Sequence, residues 1–243
     1  ISQYDSAIAY MDTCIQTILQ KLTDLGLEND TLVVFTSDHG ETLHDHDCYY
    51  DHHSLYDPTL VVPLAFRFPG RVPEGKTVDD TCRLLDVTPT VLDMLGIDSG
   101  IDFDGRSLLP LAMGTPMPKI DEFYITECTW MRKHGWRTPK WKYIKALEPD
   151  FHFKPEVELY DLENDPLEYT NIAELRQDIV MMLDKKMNDF IQGREKEVGR
   201  TNPMHNNPNW HGLNIGRGFL SSEEAYNSLH IGSPGAAAKL QQK

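Results

Sequence analysis

The stretch that decides the fold is Thr31-Leu-Val-Val-Phe-Thr-Ser-Asp-His-Gly-Glu41. It opens with a nearly all-apolar run of strand length, which is typical of a strand buried on both faces of a parallel sheet. Asp38 and His39 follow at the carboxyl end of that strand, where open α/β sheets bind their ligands. Gly40 allows the backbone to turn sharply there. The stretch therefore predicts an α/β fold with polar side chains at one edge of its sheet.

The residues after this strand are unusually rich in ionisable side chains. Residues 38–57 read DHGETLHDHDCYYDHHSLYD, with five Asp, one Glu and no Lys or Arg. Five of the ten histidines lie here: His39, His44, His46, His52 and His53. Such a cluster repels itself unless a positive charge compensates it, and a divalent cation is the simplest compensation. We therefore predict a metal or anion site; the alternative is an ordinary turn with a helix cap.

An amphipathic helix is predicted before the strand. Its apolar residues recur at steps of three and four, at Ile8, Met11, Ile15, Ile18, Leu22 and Leu25. Gly26 stands where a helix often ends on a glycine. A helix followed by a strand is half of a βαβ unit whose first strand is missing. We therefore expect the fold to begin upstream of Ile1.

The remaining elements predict a second structural unit. Residues 61–67 form a strand candidate whose Pro63 marks an edge or the strand's start. Residues 84–95 have helical spacing and end before Gly96. Residues 97–120 are rich in Gly and Pro, which indicates a loop and a domain boundary. A small α+β unit is predicted from strands at Phe123–Thr126, Trp141–Ala146 and Val157–Tyr160 and a helix at 172–191.

Composition excludes several classes of function. The chain carries 23 Lys and Arg against 38 Asp and Glu, a formal net charge of −15, which disfavours nucleic acid or an anionic membrane as a partner. No apolar run approaches the roughly 18–20 residues of a membrane span. The four cysteines, at positions 14, 48, 82 and 128, form neither a C-x-x-C metal pair nor a dense disulfide framework.

In the order and spacing of these segments, the chain resembles the C-terminal part of a type I, formylglycine-dependent sulfatase of the alkaline phosphatase superfamily. The similarity covers about residues 4–192. Its segments are Tyr4–Asp12, Thr31–Glu41, Ser54–Asp57, Val62–Leu64, Asp86–Leu92, Gly105–Leu109, Trp136–Ile144 and Glu158–Pro166. The resemblance implies part of an α/β/α sandwich at 1–118, a small α+β subdomain with an antiparallel sheet at 119–198, and a loop-rich tail at 199–243.

The resemblance also implies roles for four residues. Asp38 and His39 would be two ligands of a divalent cation, usually calcium in sulfatases. Imidazole is a softer ligand than the oxygens calcium prefers, so manganese stays open. His52 falls where many members carry a sulfate-contacting Lys, and His53 is its neighbour. A protonated histidine can bind a sulfate oxygen or donate a proton to the leaving alcohol; the alternative for each is a surface histidine.

Several further residues are weaker candidates. His44 and His46 are predicted at the pocket rim or in structural roles. Arg137 and Lys142 are predicted to be structural or rim residues, with contact to an anionic substrate as the alternative. His134 and Trp136 are rim candidates on weaker grounds. Aromatic residues that could stack on a sugar, or else belong to the core, are Tyr49, Tyr50, Tyr56 and Trp130. Trp210 and His211 belong to the tail that could reach the pocket.

The family's nucleophile is expected elsewhere. A formylglycine forms from Cys or Ser within C/S-x-P-x-R, and none of the four cysteines here has Pro two places on. We therefore expect a missing N-terminal half to carry it, and the 243 residues alone to be inactive. The predicted function is that of a sulfuric ester hydrolase fragment that supplies part of the metal and sulfate site for a sulfated small molecule or glycan. The alternatives are a phosphodiester or phosphonate monoester hydrolase of the same superfamily, or a non-catalytic metal- or glycan-binding module.

Overall fold

A computed structural model describes residues 2–128, 131–148, 150 and 152–205. Their contacts form two compact units, the first from residues 2–38 and 62–120 and the second from residues 39–61 and the described residues from 121 on. Contacts therefore group residues 39–61 with the second unit, while the predicted domain boundaries stay predictions. Trp130, Trp210, His211 and the predicted tail after residue 205 lie outside the described residues.

The described residues form five helices and six strands. In chain order these are α1 (Ser2–Asp24), β1 (Val33–Thr36), α2 (Asp57–Leu60), β2 (Leu64–Arg67), α3 (Val87–Leu95), α4 (Leu109–Ala112), β3 (Phe123–Glu127), β4 (Lys133–Arg137), β5 (Trp141–Ala146), β6 (Val157–Asp161) and α5 (Gln177–Val198). Short 3-10 turns lie at Asp45–Asp47 and Leu84–Asp86.

The first unit confirms the predicted strand but not its pairing. β1 pairs antiparallel with β2, with Val33 opposite Arg67 and Thr36 opposite Leu64. Phe35 is 44% exposed, so within the described residues β1 is not buried on both faces. Among the described residues, the partner of β1 is thus antiparallel, where the sequence predicts a parallel sheet, because an apolar run indicates a strand but not the direction of its partner.

Proline and glycine mark element boundaries in this unit. β2 begins after Pro63, later than predicted, since Pro has no N–H to donate to a ladder. α3 ends as predicted at Gly96, whose φ of +68° is left-handed and favours glycine. The loop predicted at 97–120 includes the short helix α4.

Helix α1 is confirmed, but its apolar face is open to solvent. No residue of α1 is buried; Ile8, Met11 and Ile18 are 48%, 51% and 65% exposed. An apolar stripe of this kind normally faces a core. Among the described residues, no helix is both long and apolar enough to cross a lipid bilayer.

The second unit is built on a four-stranded antiparallel sheet in the order β3-β4-β5-β6. Strands β3, β5 and β6 confirm the prediction, and α5 covers a core that includes Trp136, Tyr143, Leu183 and Met187. The helix begins at Gln177 rather than residue 172 and ends before the left-handed Gly199.

Strand β4 was missed by the sequence analysis. It reads Lys-His-Gly-Trp-Arg, a polar sequence with an interior glycine that disfavours a strand. Lys133 and His134 are nevertheless 2% exposed. A side chain at Gly135 would place its Cβ 2.1 Å from the Tyr143 carbonyl oxygen. The rim roles considered for His134 and Trp136 are wrong, because both residues are buried.

Residues 39–61 pack against this sheet through an apolar cluster. Cys48, Leu55 and Tyr56 join Ile144 and Tyr160 in a common core. The Tyr56 hydroxyl donates to Glu158 Oε2 at 2.5 Å. Of the two roles predicted for Tyr56, stacking on a sugar or packing in the core, the structure shows the core position.

A buried ion pair fixes the end of the same segment. The Lys142 ammonium lies 2.5 Å from Asp57 Oδ1 and 2.5 Å from Glu168 Oε1. Arg137 Nη2 lies 3.2 Å from Asp57 Oδ2, and the Asp57 N–H donates to Glu168 Oε2 at 2.7 Å. Burial alone would raise the pKa of Asp57, but the cations of Lys142 and Arg137 outweigh it and lower this pKa. Both cations are thus structural.

Loss of the buried cation should destabilise the second unit strongly. Lys142→Ala leaves the buried Glu168 carboxylate without its facing ammonium, and we expect a loss of about 3–5 kcal/mol in the free energy of unfolding. The matched control is Lys140→Ala, because Lys140 pairs with Glu163 at the surface, where solvent screening leaves an ion pair little effect on stability. Urea denaturation measures both, and equal losses would contradict the anchoring role of Lys142.

Stability should also fall as the pH drops below neutral. Burial lowers the pKa of His134 to about 4, with His205 and Lys145 adding to the shift. An unfolded histidine has a pKa of about 6.5, so between these values the unfolded chain binds more protons and acid favours unfolding. One such histidine lowers the unfolding free energy by about 2 kcal/mol between pH 7 and pH 5.

His134→Gln should therefore flatten the pH dependence of urea unfolding between pH 7 and pH 5 by about that amount. The control is His44→Gln, at an exposed histidine of the same unit, which should keep the original profile. An unchanged profile in the His134 variant would contradict the buried neutral imidazole.

Candidate functional site

The two predicted metal ligands are neighbours in the chain but are assigned to different units. Asp38 ends the first unit and His39 begins the second. Both are exposed, and Ser37 Oγ lies 3.5 Å from Asp38 Oδ1. Their shared ligation of one ion stays a prediction. In the chain, they follow β1 directly, as expected.

The structure explains why residue 40 is a glycine. Its N–H donates to the Thr59 carbonyl at 2.8 Å, and an added Cβ would lie 2.0 Å from the Pro58 carbonyl oxygen. The close approach of backbone at Pro58 and Thr59 therefore requires glycine, in addition to any turn.

Three of the predicted site residues meet in one place. The rings of His39 and His52 stack with centroids 4.1 Å apart, and the rings of His52 and His53 lie 4.1 Å apart at a steeper angle. We call His39, His52 and His53 the histidine cluster. Sequence reasoning placed these side chains near one site, and the second unit brings them into contact.

Two acidic side chains extend the histidine cluster. Glu41 Oε2 lies 3.6 Å from His52 Nδ1, and Asp51 Oδ1 lies 3.5 Å from His53 Nε2. Candidate ligand atoms lie within 4.8 Å of one another in two groups, His39-Glu41-His52 and Asp51-His52-His53. Oxygen ligands bind calcium at about 2.3–2.6 Å, and histidine nitrogens bind zinc at about 2.0–2.1 Å, so a shared ion of this kind would draw these side chains closer together. The donors are chemically suited to a divalent cation.

The two candidate catalytic histidines differ in environment. The His52 side chain is 40% exposed, whereas His53 is 5% exposed and is not a surface histidine. Burial lowers the pKa of His53; nearby His52, His152 and His39 add to this, and Asp51 opposes it. His53 is therefore predominantly neutral at pH 7, and His52 is the more accessible of the two.

The other candidate residues between positions 38 and 57 do not belong to the histidine cluster. His44 is exposed. His46 is buried and stacks on Tyr56 with centroids 3.8 Å apart; burial, aided by Lys154, lowers its pKa to about 4. Tyr49 is buried and Tyr50 is 37% exposed. Of the described aromatic candidates, only Tyr50 offers an exposed ring.

Sequence reasoning missed Glu41, Asp51 and His152. Glu41 and Asp51 lie in the acidic window but carried no signal of their own. His152 Nε2 lies 2.9 Å from Asp51 Oδ2. It belongs to a segment with no motif, so only the tertiary structure brings it to the site.

Comparisons with known proteins agree with this architecture. A family model described as N-sulphoglucosamine sulphohydrolase, C-terminal, matches residues 45–193. Human arylsulfatase K is 33% identical over 202 residues, which cover 77% of this chain and 36% of that protein. The choline-sulfatase of Rhizobium meliloti is 35% identical over 177 residues, which cover 70% of this chain and 32% of that protein.

Solved structures share the fold. BT4656, in complex with its substrate D-glucosamine-2-N,6-O-disulfate, matches with a TM-score of 0.64 and 26% identity over 81% of this chain and 40% of its own. The phosphonate monoester hydrolase of Agrobacterium radiobacter matches with a TM-score of 0.63 and 28% identity over 75% of this chain and 39% of its own.

The chain spans about a third of the length of the curated relatives it matches. The predicted α/β fold class is confirmed by these neighbours. Because the family model covers more than half of the chain and the relatives are sulfatases, the predicted resemblance is confirmed as well. The chain belongs to the sulfatases of the alkaline phosphatase superfamily, of which it represents a C-terminal part.

Proposed function

We propose that this chain supplies part of the divalent-metal and sulfate site of a sulfuric ester hydrolase. The observation that carries the proposal is the histidine cluster, in which the His52 ring contacts the rings of both His39 and His53. Asp38 directly precedes His39 in the sequence. Family membership supports sulfate ester chemistry as the reaction.

The metal site is proposed at Asp38 and His39. A carboxylate and an imidazole, both exposed, fit a divalent cation. Calcium is the first candidate by family resemblance, and the imidazole donor leaves manganese as the second. When bound, the cation would stabilise negative charge on the sulfuryl oxygens.

His52 is proposed to contact the sulfate or to protonate the leaving alcohol. Its side chain is accessible, and an imidazole can carry either a positive charge or a transferable proton near neutral pH. His53 is proposed as its partner at the same place. Its burial and lowered pKa favour a neutral role, in hydrogen bonding or proton acceptance.

An N-terminal half is proposed to complete the enzyme. The formylglycine nucleophile is expected there, and the chain without it is expected to be inactive. The exposed apolar face of α1 supports this proposal, because such a face is normally covered by a neighbouring element.

The proposed substrate is a sulfated carbohydrate. BT4656 supports this choice, since it was solved with a disulfated glucosamine as its substrate. A smaller sulfated molecule is the alternative within the same reaction class, and the choline-sulfatase relative supports it.

A phosphonate monoester hydrolase is a second candidate. The structural match to the Agrobacterium radiobacter enzyme favours it, and Asp-His metal ligands suit that chemistry as well. The anion preferred by the enzyme containing both halves discriminates the two reactions. Metal binding without hydrolysis of either ester class would favour a non-catalytic binding module.

Removal of either proposed metal ligand should weaken binding of the cation. We expect Asp38→Asn and His39→Ala, each in the polypeptide that includes the N-terminal half, to weaken Ca²⁺ or Mn²⁺ binding by about tenfold or more. Isothermal titration calorimetry measures the affinity. His44→Ala is the matched control and should bind normally; wild-type affinity in the Asp38 and His39 variants would contradict the metal site.

Replacement of His52 should reduce turnover. In the same polypeptide, we expect His52→Ala to lower kcat/KM for an aryl sulfate by about 10²–10⁴, the usual contribution of a positioned acid. If His52 contacts the sulfate as a cation, His52→Lys should retain activity, because an ammonium supplies the same positive charge. An unaltered kcat/KM in His52→Ala would rule out the proposed role.

A further inference from the structure

His152 belongs to the segment between β5 and β6, about a hundred residues after the histidine cluster. Its side chain is 4% exposed, and its Nε2 lies 2.9 Å from Asp51 Oδ2. The backbone N–H of His152 donates to Asp150 Oδ1 at 2.7 Å. Asp150 Oδ2 in turn lies 2.6 Å from the buried ammonium of Lys133 on β4. The sheet therefore holds His152 in place through a buried ion pair.

Asp51 uses its other oxygen on the backbone of the two candidate catalytic residues. Asp51 Oδ1 accepts the N–H of His52 at 2.7 Å and the N–H of His53 at 3.1 Å. The Asp51 main chain is paired with Thr42 in an isolated antiparallel bridge. One carboxylate thus connects His152 on one side with two successive backbone amides on the other.

The protonation state of Asp51 suits this connection. Burial alone would raise the pKa of Asp51, but the hydrogen bond and charge of His152, together with His53 and the His52 N–H, outweigh it and lower this pKa. An ionised carboxylate accepts hydrogen bonds more strongly than a neutral acid does. Without the His152 imidazole 2.9 Å from Oδ2, we expect the buried carboxylate to turn toward other polar groups and to release the two amides.

We propose that His152 is a positioning residue that acts through Asp51 to fix the backbone of His52 and His53, and with it the placement of their imidazoles. His152 contacts neither sulfate nor metal in this proposal. The consequence for catalysis rests on the roles proposed above for His52 and His53, whereas the positioning itself can be measured separately.

Hydrogen exchange of backbone amides in the full chain, measured by NMR, tests the positioning. His152→Leu keeps the volume but removes the donor, and we expect the His52 and His53 amides to exchange about tenfold faster or more, with β5 amides unchanged. His152→Gln keeps an N–H donor and should retain most of the protection. His152→Asn, too short to reach Asp51, replaces the Leu variant if that one does not fold.

The matched control is His134→Leu, which removes an equally buried imidazole of the same unit that faces Tyr124 instead. It should leave the His52 and His53 amides protected. Unchanged exchange at these amides in the His152→Leu or Asn variant would overturn the proposal. So would faster exchange throughout the sheet in the His152 and His134 variants alike, because it would indicate a general loss of stability.

Measurements of turnover distinguish a failure of the positioning role of His152 from a failure of the catalytic roles proposed for His52 and His53. In the polypeptide that includes the N-terminal half, kcat for an aryl sulfate should fall about tenfold in His152→Leu and recover in His152→Gln, with a smaller change in KM. Faster exchange at His52 and His53 with unaltered kcat would support the positioning and overturn their catalytic roles. Wild-type exchange together with a loss of kcat would overturn the positioning alone.

Discussion

The buried ammonium of Lys142, held between Asp57 and Glu168, is the interaction on which the site depends. Residues 39–61 contain a 3-10 turn, the four-residue helix α2 and an isolated bridge between Thr42 and Asp51 as regular structure, so no long helix or strand ties this segment to the sheet. A buried charge must keep its partner, because separation leaves an uncompensated ion in a medium of low dielectric constant. The ion pair therefore fixes the end of the histidine-rich segment at one place on the sheet.

Two further buried contacts repeat this principle along the segment. Tyr56 donates to Glu158 on β6, and Asp51 meets His152 beyond β5. Lys133 on β4 connects both regions, since its ammonium lies near Asp150 and Glu158. A rigid sheet that carries a loop with chemically active side chains is a common arrangement in enzymes. Here the sheet contributes buried ionisable residues as well as apolar packing.

The prediction from sequence succeeded where the signal is local. Helix α1, the start of strand β5 and the glycine that ends α3 follow from apolar spacing and backbone preferences over a few residues. Strand β4 was missed because Lys133 and His134 look like surface residues, and only ion pairing and hydrogen bonding make their burial possible. The antiparallel direction of the partner of β1 was missed because the direction of pairing depends on how the neighbouring strand is connected, not on the composition of β1 itself.

The sequence by itself determined the family, the fold class and the window that contains the histidine cluster, because ordered motifs and residue density can be recognised along the chain. The tertiary structure alone decided which side chains support that cluster. Asp57 meets Lys142 and Glu168 across 85 and 111 positions, and His152 meets Asp51 across about a hundred positions. Contacts at such separations leave no periodic or local pattern, since they arise only when the packed sheet brings distant segments together.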